Sequence, residues 1–139
     1  MKEVIIKIRG TQGIGDDKSI IELSSEGILT REGEKYILSY NEDTVVEGGN
    51  IKTRLTAEEN GKITLERAGA ISSKLYIQKG VRNNCFYSVP EGNLTLGIYG
   101  KEVSVNLDDT GGTIEMTYTL DANMKLISEN TVLINVKER

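Results

Sequence analysis

Apolar and polar residues alternate along most of this chain with a period of two, as they do in strands that bury one face. Val4, Ile6 and Ile8 share a face and predict a strand over residues 3–9, while the glycine-rich run 10–17 reads as a loop. Residues 20–31 predict one long strand kinked at Gly27, since glycine inside a strand often marks a bulge. The alternative for residues 17–22 is the start of a short helix. After a turn at 32–34, Tyr36, Leu38, Tyr40 and Glu42 fall in phase, and residues 45–50, with Gly48-Gly49, read as a loop or bulge. Ile51, Thr53, Leu55 and Ala57 form the inner face of the next strand, and Asn60-Gly61 is a strong hairpin signal.

Two alternating runs, 63–68 and 75–79, follow on either side of Gly69. Cys85, Tyr87 and Val89 alternate next, and residues 90–93 have turn chemistry. Leu94, Leu96 and Ile98 predict one strand and Val103, Val105 and Leu107 another, with Gly100-Lys101 as the turn between them. Beyond a turn at 108–112, Ile114, Met116, Tyr118 and Leu120 should point inward, with Thr113, Glu115, Thr117 and Thr119 in water. The last strand runs from about Leu126 to Val136. With no helical period, heptad or repeat, many short strands predict an all-β fold. A closed antiparallel barrel of roughly eight to ten strands is favoured over a sandwich, because closure removes exposed edges.

One position breaks the pattern. Ile63, Leu65 and Arg67 share a face, so a cation stands where the phase calls for an apolar side chain. A two-residue Asn60-Gly61 turn would set inward Leu55 against outward Glu66. A three-residue loop of Glu59, Asn60 and a left-handed Gly61 instead opposes Leu55 to Leu65, Ala57 to Ile63 and Thr53 to Arg67. A guanidinium placed there needs partners, because an isolated buried charge is prohibitive. Glu42 is the nearest in-phase carboxylate and is the expected counter-charge, with Thr53 and Tyr40 as hydrogen-bond partners. Such a group plugs one end of a barrel as an ion pair or serves as a handle for an anionic ligand.

The chain of 139 residues is expected to form a single domain spanning residues 1–139. Seventeen basic against 21 acidic residues give a net charge of −4 without strong clustering, which argues against a nucleic-acid footprint. Neither a signal peptide nor a membrane-length apolar run is present, and Cys85 is the only cysteine, so the chain reads as cytoplasmic. The absence of histidine excludes Ser–His–Asp and Cys–His catalysis and histidine-ligated metals. Cys85 reads as a small core residue.

Residues 10–15 fit the opening of a phosphate loop, but Asp16-Asp17 stand where its lysine and hydroxyl would be. No cofactor, metal site or enzymatic activity is expected. Tyr36, Tyr40, Tyr87 and Tyr118 lie on otherwise apolar faces, as core residues or as part of a binding wall.

The order of short motifs resembles a known family. YILSYNE (36–42) precedes Lys52-Thr53, then ERAGA (66–70), the Tyr87, Pro90 and Gly92 turn, and GTIEMTY (112–118). This pattern resembles the YwiB-like family of bacterial proteins of unknown function over nearly the whole chain. The resemblance implies a calycin-like, lipocalin-like β-barrel in a cytoplasmic bacterial setting, and no established activity. The reading that results is a barrel binding a small molecule or peptide in its interior or mouth. Arg67, Glu42, Tyr40, Thr53, Tyr36, Tyr87 and Tyr118 are the candidate ligand-binding residues. The alternative is a non-catalytic interaction module, such as a homodimer.

Overall fold

The computed structural model describes residues 1–42, 51–58, 60–69, 72–89 and 92–139, without the side chains of Glu42 and Val89. Its strands, in chain order, are β1 (Lys2–Ile14), β2 (Asp17–Glu32), β3 (Lys35–Glu42), β4 (Ile51–Glu58) and β5 (Ile63–Gly69). They continue with β6 (Ser72–Ile77), β7 (Arg82–Val89), β8 (Gly92–Asp108), β9 (Gly111–Ala122) and β10 (Lys125–Glu138). Each pairs antiparallel with the next, and β1 pairs with β10, so the described strands close into a ten-stranded barrel of the class the sequence predicts. Odd-numbered strands end at one rim, the upper end, and even-numbered strands at the lower.

The interior is layered by the strand register. One rung of lateral neighbours is entirely leucine: Leu29, Leu38, Leu55, Leu65 and Leu75, each paired with the next across β2 to β6. All five are buried, and each such side chain contributes about 1.5–3 kcal/mol on removal from water. The rung below joins Arg31, Tyr36, Ala57, Ile63 and Ile77. Ile114, Met116, Ile134 and Val136 fill the opposite wall from β9 and β10. In β9 the inward set is as expected and Glu115 is exposed, but Thr113, Thr117 and Thr119 are half-buried instead of fully in water. Neighbouring strands crowd them, as the Thr117 and Thr131 hydroxyls, 3.4 Å apart, illustrate.

Four local expectations are corrected. Residues 10–14 are not loop: they continue β1, paired with β10 as far as Gly13 and with β2 as far as Ile14, leaving only Gly15 and Asp16 as the turn. No helix forms at 17–22. Gly27 marks no bulge, since the β1–β2 register runs through it unbroken. Its role is close approach: a Cβ there would lie 2.6 Å from Ile6 Cδ1 and 2.7 Å from the Ser39 carbonyl oxygen. Gly100-Lys101 is not a turn, because β8 passes straight through and absorbs the change of phase as a register shift between Gly100 and Glu102. The extra residue returns Val103, Val105 and Leu107 to the inner face. Gly100 is bare because the 78–81 turn lies on it, with the Gly80 N–H donating to the Gly100 carbonyl at 2.8 Å.

Candidate functional site

The hairpin between β4 and β5 sets the position of Arg67. The Glu58 N–H donates to the Lys62 carbonyl at 3.0 Å, the Gly61 N–H to the Glu58 carbonyl at 2.9 Å, and Gly61 has φ 87°. This three-residue loop gives the expected register, with Ala57 opposite Ile63, Leu55 opposite Leu65 and Thr53 opposite Arg67.

One rung above the leucines, the same register continues around the wall. Gly27, Tyr40, Thr53, Arg67, Ser73, Tyr87 and Leu94 are successive lateral partners from β2 to β8. The sequence-predicted Tyr40, Thr53, Arg67 and Tyr87 thus share a single polar belt. Tyr118 joins them from β9. Burial pushes its phenol above the ordinary value, the Arg67 charge pulls it back in part, and Tyr87 adds to the rise. It is a neutral donor near pH 7, and it lies close enough to Arg67 to feel that charge.

Thr53 and Ser73 flank Arg67 and are 2% and 6% exposed. Among the described residues neither hydroxyl oxygen has a hydrogen-bond partner. A buried group left in that state costs about 1–3 kcal/mol. Thr53 and Ser73, with Gly27, Tyr40 and Arg67, are among the residues around a pocket of about 550 Å³ in the upper part of β2 to β6, which outward-facing Lys52, Arg54 and Glu66 also line. Polar side chains also face inward on β10, where buried Asn130 donates to the Ser128 hydroxyl at 3.2 Å.

The Glu42 side chain, named as counter-charge to Arg67, lies outside the described residues; its backbone pairs with Ile51, one in-phase step beyond Tyr40. Tyr36 does not belong to the site. It sits two rungs below Tyr40, at the lower end, where its hydroxyl donates to Asp109 Oδ1 at 3.4 Å and its ring lies 5.7 Å from the Arg31 guanidinium. Sharing a strand face with Tyr40 does not mean sharing an end.

The sequence reading overlooked Ser73, although its phase with Leu75 and Ile77 places it inward. It also overlooked a pair on the outer surface, Arg82 with Asp121, for which residues 39 positions apart give no local signal. Among the described residues no cluster of three His, Cys, Asp or Glu side chains is placed to hold a metal ion. No helix there is long and apolar enough to cross a membrane.

The described strands and their polar upper belt define a closed, ten-stranded antiparallel β-barrel. A family described as a domain of unknown function, DUF1934, matches residues 6–134, and the chain belongs to that family. The fold is similar to the crystal structure of ywiB protein from Bacillus subtilis, with a TM-score of 0.88 at 20% identity, over 99% of this chain and 92% of that one. No curated protein matches the chain.

Proposed function

We propose that the protein is a non-catalytic binding barrel of the bacterial cytoplasm that holds a small molecule or peptide segment in its upper mouth. The observation that carries this reading is the pair of buried hydroxyls on Thr53 and Ser73, without partners among the described residues, on two residues that line a 550 Å³ pocket. Protein interiors tolerate few such groups, and those that persist at a pocket suit a ligand that completes them. The apolar layers below make the mouth, not the depth of the barrel, the place for a ligand. The non-catalytic part of the reading is supported by the lack of histidine and by Cys85, buried with its thiol pushed up by that burial. Native mass spectrometry of gently purified protein tests it. A small-molecule adduct should accompany the wild type and be absent from Ser73→Leu, whose larger side chain fills the mouth. A bare wild-type mass, or an adduct indifferent to Ser73→Leu, refutes it.

Association with a second copy is an additional reading, favoured by Ile20, Ile21, Leu126 and Ile127, which are all about half exposed towards the tips of the β1–β2 and β9–β10 hairpins. Light scattering that gives a monomer at all concentrations would remove it.

A further inference from the structure

The belt around Arg67 says what chemistry the mouth would take. Thr53, Arg67 and Ser73 sit side by side on β4, β5 and β6. Adjacent strands are about 4.8 Å apart, so the two hydroxyls are carried on the strands on either side of Arg67. Along the described belt Arg67 is the one side chain with a formal charge, since its neighbours are Gly27, Tyr40, Thr53, Ser73, Tyr87 and Leu94. A guanidinium presents five N–H donors and no acceptor, so a pairing along one edge leaves others for a ligand. Thr and Ser hydroxyls rotate to donate, and the neutral Tyr118 phenol adds another donor. A wall of donors around one cation suits an acceptor-rich anion. A ligand ammonium would face a fixed like charge, and an alkyl end would leave the hydroxyls unsatisfied. On the same rung Leu94 is 52% exposed beside Tyr87, an apolar surface at the rim.

We infer that the mouth binds the oxyanion group of its ligand, a carboxylate or phosphate, on the Arg67 guanidinium between the Thr53 and Ser73 hydroxyls, with the ligand's apolar body against Leu94. This rests on the mouth-binding reading and adds the ligand's chemical class. Guanidinium and hydroxyls together recognise such an anion by charge-assisted hydrogen bonds.

Two fluorescent probes with nearly the same aromatic body test it: anilinonaphthalene sulfonate, which carries an oxyanion, and neutral phenylnaphthylamine. The sulfonate should bind at least about tenfold more tightly than the neutral dye and be displaced by octanoate but not by octanol. Its affinity should fall by about tenfold or more in Arg67→Met and in the Thr53→Val/Ser73→Ala double variant. Circular dichroism establishes that each variant is folded, and if Arg67→Met is not, the double variant decides. Equal binding of both dyes, with octanol displacing them as well as octanoate, overturns the anion inference and leaves mouth binding standing, provided that Ser73→Leu abolishes both. Sulfonate binding unchanged in the double variant also overturns it. Failure of both dyes and of octanoate to bind overturns this inference and the mouth-binding reading together.

Discussion

Arg82 grips Asp121 with two hydrogen bonds, Nη2 to Oδ1 at 2.6 Å and Nε to Oδ2 at 3.0 Å, across the bare backbone of Gly97. The pair ties β7 to β9 over the intervening β8, and Arg82 also donates to Asn84 at 3.2 Å. A Cβ on residue 97 would collide with Arg82 Nη2 and come within 2.6 Å of Asp121 Oδ1. Those are ends of side chains and can move. Gly97→Ala should therefore fold but lose the pair, with a destabilisation of about 1–2 kcal/mol by denaturant unfolding. At Gly100 the obstacle is the backbone of Gln78, which cannot yield in the same way. Gly100→Ala should be the worse of the two, at about 3 kcal/mol or more. A reversed order would show that the Gly97 contact is not what holds the pair.

The same pair should leave a mark on acid stability. Hydrogen bonding from Arg82 holds the Asp121 carboxyl below its ordinary value of 3.8, with burial opposing and the Met124 N–H assisting. A carboxyl whose folded pKa is depressed stabilises the fold above its unfolded pKa, and this contribution fades as pH drops through the folded value. Arg82→Met should lower the melting temperature at neutral pH, and the gap from wild type should narrow steadily below about pH 4. A gap constant across that range would mean that the guanidinium acts by packing alone.

The two faces of β9 make a sharper contrast. Met116 is 2% exposed and Glu115 is in solvent. Met116→Asp should abolish folding, as a carboxylate cannot be left unpaired in that core. Glu115→Lys should stay within about 0.5 kcal/mol of wild type. Circular dichroism and thermal melts on both proteins measure the difference, and comparable losses would invert the face assignment.

Within the barrel, neighbouring layers should respond in opposite senses. Leu55→Ala empties part of the leucine rung and should cost about 2–5 kcal/mol. One rung higher, Thr53→Val removes a buried hydroxyl that has no partner among the described residues, and in ligand-free protein it should be neutral or stabilising by up to about 1 kcal/mol. A clear loss of stability from Thr53→Val would show that the hydroxyl is already satisfied.

Much of this was legible in the sequence, because a half-buried strand writes its faces at a period of two. Residues 51–57 and 114–120 keep that period without interruption, and both appear as expected. Counting the loop at 59–61 was enough to oppose Thr53 to Arg67. The failures have physical reasons. The upper part of β1 carries Gly10, Thr11, Gln12 and Gly13, residues that look like a loop yet gain their ladder from β2 and β10. The change of phase at Lys101 looks like a turn because a bulge and a turn both disturb alternation. Tyr36 was grouped with Tyr40 because phase reports the face, not the height along the barrel. Arg82 and Asp121 depend on strands from distant parts of the chain, and no local pattern encodes that meeting.

The seam between β1 and β10 has a kinetic consequence. It pairs Val4 with Glu138 and Gly13 with Glu129, and it is reinforced by Lys2 to Glu138 at 3.3 Å and by the Arg139 N–H to the Glu3 carbonyl at 3.1 Å. All other neighbouring strands are consecutive in the chain, whereas this zipper joins residues separated by nearly its whole length. Loop-closure entropy weighs on that step more than on any hairpin. A chain with nine strands in place still presents two open margins, on β1 and β9, each with unpaired N–H and C=O groups ready to accept a strand from another molecule. Refolding should therefore lose yield steeply as protein concentration rises, and a synthetic β10 peptide supplied in trans should restore it.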